Sequence, residues 1–105
     1  MIEPAYVVQL SAADGPLVLG ICGDLDMDSS HLVEQTLLAA IDPASSVVLD
    51  LGQLAFCDST GVAMFIAVHQ NAEAVNTALA FRNVPPLVRR MFEIANIETF
   101  LGLNA

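Results

Sequence analysis

Two hydrophobic periodicities alternate along this 105-residue chain, and their order restricts what it can fold into. The strand-like runs "AYVVQL", "LVLGIC", "SVVLDL" and "TALAFR" are interleaved with segments whose apolar residues recur every three or four positions. The spacing predicts strands over about 5–10, 17–22, 46–51 and 77–82, the first two joined as a hairpin through "ADGP". Helices are expected over about 30–41, 60–74 and 86–95, and "ETFLGL" as a last short helix or turn. Val33, Leu37, Ala40 and Ile41 make one apolar stripe. Leu87, Val88, Met91, Phe92 and Ala95 make another, with Pro86 suited to the first turn of its helix. The order ββαβαβα, with an optional final α, implies right-handed crossovers and a mixed sheet whose later strands are parallel. Its functional surface is expected off the carboxyl ends of those strands, where "FCDSTG" falls.

Composition supports one compact domain over residues 1–105. Hydrophobic residues make up 55% and charged residues 14%, so the chain can bury a core without staples. Mean hydropathy is +0.64, yet no apolar run approaches the roughly 18 residues that cross a bilayer. The start "MIEPAYVV" lacks a basic leader, which gives a cytoplasmic expectation with no membrane insertion. Twelve acids oppose three bases, for a formal charge of -9. The bases are Arg82, Arg89 and Arg90, and the first 81 residues carry none. Such a chain repels phosphate backbones, so direct nucleic-acid binding is excluded and a partner with a basic patch fits better.

Asp58, Ser59, Thr60 and Gly61 open the second helix. Asp, Ser and Thr favour the N-cap because their oxygens accept bonds from the free amides of the first turn, and Gly permits close packing. A nucleophilic Ser59 needs a base within reach. His69 should lie some 15 Å down the same helix, by its rise, and His31 sits on another helix. "CDSTG" is also not the G-x-S-x-G elbow. A phosphorylatable hydroxyl is the other reading, since helix-end amides and the dipole tolerate an anion. The run "GVAMFIAV" beyond it has no polar side chain, which suits a helix buried all round or one with a face for a partner. Val62, Phe65 and Ile66 read as core. Met64 and Val68, an i, i+4 pair, read as partner contacts, joined by Val62 beside Ser59.

"GDLD" at 23–26, "VVLDLGQLAFCDSTGV" at 47–62 and "LAFRNV" at 79–84 together resemble a STAS domain, and more narrowly the bacterial anti-sigma factor antagonists. The resemblance covers nearly the whole chain. It implies a STAS-like single α/β domain with a mixed four- to five-stranded sheet and three to four helices. It also implies a partner: an anti-sigma factor that is a serine kinase, whose capture frees the sigma factor. The kinase modifies the serine after the motif Asp and ends the interaction, and a phosphoserine phosphatase reverses this. Ser59 matches that serine, and Asp58, Thr60 and Gly61 the rest of the loop. Gly23, Asp24 and Asp26 match a loop near the same binding surface. ATP belongs to the kinase, so no cofactor is expected. The helix after the motif carries His69, Gln70 and Glu73 where relatives often carry Lys or Arg, a departure that bears on which partner this chain takes. Asn76 stands where a Gly is common, and Asn tolerates the left-handed turn. The alternative is a STAS scaffold or transporter-associated subunit that is never phosphorylated.

Two side readings remain. "DLDMD" at 24–28 starts like a calcium loop, but Ser29 and Gln35 replace its sixth-position Gly and twelfth-position Glu. Cys22 and Cys57 fall just beyond strands expected to be neighbours, which raises a redox-sensitive bond as an option.

Overall fold

The computed structural model describes residues 3–11, 15–43 and 45–94. The first half of the "ADGP" turn, Ala95 and the "ETFLGL" element lie outside them. β1 (Tyr6–Ser11) and β2 (Leu17–Leu25) form an antiparallel hairpin. They are followed by α1 (Ser30–Ala40), β3 (Ser46–Asp50), β4 (Leu54–Cys57), α2 (Ser59–Ala74), β5 (Ala78–Arg82) and α3 (Pro86–Ile94). The sheet runs β1-β2-β3-β5, with β3 parallel to both β2 and β5. The mixed five-stranded sheet and three helices agree with the sequence expectation.

β4 is the departure. The sequence offers no strand over residues 54–57, because four residues cannot show an alternating pattern; in the structure Leu54 and Cys57 are buried while Ala55 and Phe56 are exposed. They pair in parallel with the last residues of β2, Gly23 opposite Leu54 and Leu25 opposite Cys57. That pairing carries β2 to Leu25, three residues past its expected end. Gly23 makes the extension passable. It sits at φ +87°, and a Cβ there would lie 2.8 Å from the Glu3 carbonyl oxygen and 2.9 Å from that of Pro4.

One core holds the layers together. Leu19, Ile21, Val47, Leu49 and Phe81 from the sheet join Val33 and Leu37 of α1, Phe65 and Val68 of α2, and Val88 and Phe92 of α3. Because strand side chains alternate between faces, these helices all lie on one side of the sheet. Phe65, Phe81 and Phe92 meet edge to face with centroids 5.6–6.2 Å apart, tying α2, β5 and α3 to one another. Asn76, at φ 60°, turns the chain out of α2, and the Thr77 amide returns to the Ala72 carbonyl at 2.8 Å.

α2 corrects the reading of its own faces. Met64 is 3% exposed and Val68 fully buried, so neither can touch a partner, whereas Ile66 is only partly buried. The helix lies on the sheet and is flanked by α1 and α3, so burial wraps around more than one stripe and periodicity alone does not say which side faces water.

Candidate functional site

The site forms where β4 delivers the chain to α2. The Asp58 amide donates to the Leu25 carbonyl at 3.1 Å, which sets the start of α2 beside the end of β2 and its acidic loop. Asp58 is the N-cap. One carboxylate oxygen accepts the Thr60 amide at 2.9 Å, the Gly61 amide at 3.2 Å and the Thr60 hydroxyl. The Thr60 hydroxyl bond is the main cause that holds the Asp58 carboxyl below its ordinary pKa; slight burial opposes it and the two amides reinforce it. Thr60 is therefore committed to the cap. Ser59, at the first helical position, is exposed.

The cap also revises the expectation of free helix-end amides for a phosphate. Two of the leading amides, those of Thr60 and Gly61, already serve Asp58, and that of Val62 donates to the Asp58 carbonyl.

Gly61 is fixed by packing. A Cβ on it would lie 2.6 Å from Cys57 Sγ and 2.9 Å from Leu25 Cδ2. The buried Cys57 thus forms the floor under the loop. Burial, and then the Asp58 charge, push its thiol up to about 12, so it stays protonated at neutral pH and is a poor nucleophile. Cys22 and Cys57 are both buried and free. Cys57 sits opposite Leu25, three residues beyond Cys22 and so about 10 Å further along the strand, outside disulfide reach.

On one side of Ser59, a cleft of about 320 Å³ is lined by Ser59, Val62, Met91 and Ile94. Ile94 is 77% exposed, so the apolar wall reaches the surface. This contribution of α3 was hidden in the sequence, where Met91 simply belongs to a core stripe. On the other side lies the acidic loop. Asp26 Oδ1 accepts the Asp28 amide at 3.0 Å and the Ser29 amide at 3.2 Å, and the Ser29 hydroxyl donates to the Asp24 carbonyl at 2.9 Å. Asp26 thus shapes the loop, and Ser29 is the N-cap residue of α1 without a side-chain cap bond. Gly23 is buried and contributes backbone shape; Asp24 and Asp26 are partly exposed. Of the residues singled out by sequence, the structure joins Asp58, Ser59, Thr60, Gly61 and Val62 in one place, with the loop of Gly23, Asp24 and Asp26 adjoining. It removes Met64 and Val68. No group of three or more His, Cys, Asp or Glu among the described residues could hold a metal.

Residues 8–103 match the family described as "Mlab, STAS domain". The chain belongs to the STAS domain family. A putative anti-sigma factor antagonist, BtrV of Bordetella bronchiseptica, is 31% identical over 83 residues, 78% of this chain and 72% of that protein. The anti-sigma-B factor antagonist of Bacillus subtilis is 18% identical over 98 residues, 93% of this chain and 90% of that one. The structure of the anti-sigma factor antagonist SpoIIAA in its unphosphorylated form superposes with a TM-score of 0.74 at 21% identity, covering 90% of this STAS domain and 84% of that chain. These relatives carry the names of anti-sigma factor antagonists, one of them putative, and the fold of the chain is that of SpoIIAA. Among the described residues, no helix is long and apolar enough to cross a membrane.

Proposed function

We propose that the unphosphorylated chain binds an anti-sigma factor that is also a serine kinase, frees the sigma factor in the cytoplasm, and is switched off by phosphorylation of Ser59. The observation that carries this reading is the division of labour in the loop. Asp58 holds the Thr60 hydroxyl in the cap, while Ser59 stands exposed at the rim of an apolar cleft. A phosphate there adds about -1.5 to -2 charges next to the Asp58 carboxylate. A partner closing over Val62, Met91 and Ile94 then has to desolvate that charge, which costs it affinity while the core beneath is untouched. Asp24 and Asp26 offer the adjoining acidic contact for a basic patch on the partner. The chain acts as the kinase's substrate and needs no catalytic base or cofactor; a phosphoserine phosphatase resets it.

Capture by unphosphorylated protein, followed by identification of the bound chain, tests the partner. Incubation with that partner and ATP should add one phosphate to the intact mass, mapped to Ser59. Ser59→Asp should lose binding, and Ser59→Ala should bind and resist inactivation. A partner that binds but leaves Ser59 unmodified sinks the switch and favours a scaffold or transporter-associated STAS subunit.

A further inference from the structure

β1 is an edge of the sheet. It pairs with β2 on one side, and among the described residues no strand follows on the other. Edge strands are ordinarily blunted by charge, proline or a bulge. Here the bulge falls between Gln9 and Ser11 and Pro4 precedes the strand, so residues 6–9 keep a regular register without a charged side chain. A groove follows this edge, between β1 and α1. One stretch of about 240 Å³ is walled by Tyr6 and Val7 on the strand and by Leu32 and Thr36 on the helix. A second, of about 270 Å³, continues from Ala5 and Leu32, which line both, to Asp26 and Asp28. Leu32 is 67% exposed, so the helix wall offers apolar surface. Glu3 adds to the acidic end, close enough to Tyr6 that its charge is the main cause raising the pKa of the phenol. The three bases of the chain, Arg82, Arg89 and Arg90, stand on β5 and α3, and β5 is the opposite edge of the sheet. The groove is also separate from the Ser59 cleft. The end of β2 lies between them, with Asp24 bridged to Pro4 and paired with Phe56 of β4.

We infer that this groove takes an extended segment of a partner protein, added as a further strand on β1, with apolar side chains at alternate positions and a lysine or arginine at the acidic end. Backbone, side chains and charge each select that occupant. An open strand edge presents a row of N–H and C=O groups, which another extended chain satisfies as a row. Alternate side chains of an added strand point to the α1 side, over the apolar walls of Val7 and Leu32. Glu3, Asp26 and Asp28 leave an uncompensated negative end, which draws a cation and fixes which end of the segment lies there. A second copy of this chain supplies no such cation, since its first 81 residues carry no base and two molecules of formal charge -9 repel.

Nuclear magnetic resonance of the full chain tests this with two synthetic peptides, acetyl-Lys-Val-Thr-Val-Ser-Val-amide and the same residues in reverse order, so that both strand directions are sampled. At least one should shift the amides of β1, Leu32 and Thr36 at roughly 0.1–5 mM peptide. It should also slow hydrogen exchange at the β1 amides that do not bond to β2. Glutamate in place of the peptide's lysine should weaken binding about tenfold or more. Leu32→Arg changes an exposed side chain, and circular dichroism checks that it folds; it should weaken binding as much by filling the groove and repelling the lysine. Absence of any shift with both peptides overturns the inference. Shifts without new protection of β1 mean a charge contact alone and overturn it, as does binding indifferent to the lysine or to Leu32→Arg. Protection of β1 that grows with protein concentration in the absence of peptide assigns the edge to a second copy, and overturns it as well. Phosphorylation of Ser59 enters none of these readouts, so this inference and the proposed function fail separately.

Discussion

At the scale of single residues, Asp58 and Gly61 carry most of the site. Asp58 caps α2 through one oxygen, so Asp58→Ala should cost about 0.5–2 kcal/mol of stability, read as a lower urea midpoint. The pH dependence has a definite sign. The folded pKa of Asp58 lies below its unfolded value of about 3.8, so its contribution is present above that value and is lost as pH falls through the folded one. The gap in urea midpoint between the parent and Asp58→Asn should therefore narrow on going from pH 7 into the acid range below that value. A constant gap would show that the charge of Asp58 adds nothing to the cap. Gly61→Ala pushes a methyl into Cys57 Sγ and Leu25, and should destabilise by about 1–3 kcal/mol. A smaller residue at Cys57, as in Cys57→Ala, should give part of that back in the double variant.

At the scale of elements, α2 separates what the sequence could tell from what it could not. Its start was legible because Asp-Ser-Thr-Gly has a local meaning: the cap depends on neighbours two and three residues away. Its buried faces were not, because "GVAMFIAV" is apolar in every direction and only the positions of α1, α3 and the sheet decide which side chains see water. Met64→Ala should therefore behave as a core truncation and cost about 2–5 kcal/mol. Leu87→Ala, on exposed α3 surface, should stay within about 0.5 kcal/mol. Chemical denaturation of the two variants compares them, and equal losses would contradict the burial of α2. β4 escaped for a related reason. Its partner, the end of β2, is some thirty residues away in the chain, and a four-residue strand carries no period of its own. The cleft wall from Met91 and Ile94 likewise depends on where α3 docks, which no local pattern encodes.

At the scale of the whole molecule, the charge imbalance sets the response to salt. With a formal charge of -9, self-repulsion opposes the compact state, so added sodium chloride should raise the melting temperature while slowing association with a basic partner. Thermal melts across an ionic-strength series check the first, and stopped-flow association rates the second. A melting temperature that falls with salt would mean that attractive pairs such as Asp50–Arg82 outweigh the excess of acid. The same order of elements that made the parallel sheet legible also places the Asp24–Asp26 loop and the start of α2 at one end of it, because both follow strands running the same way.

The cap at Asp58 has a consequence for timing. With the Thr60 and Gly61 amides already engaged, a phosphate on Ser59 gains no shelter from them. Under the proposed function, such a phosphate would stand open at the helix start, and the occupancy of Ser59 would follow the balance between the enzyme that adds it and the enzyme that removes it.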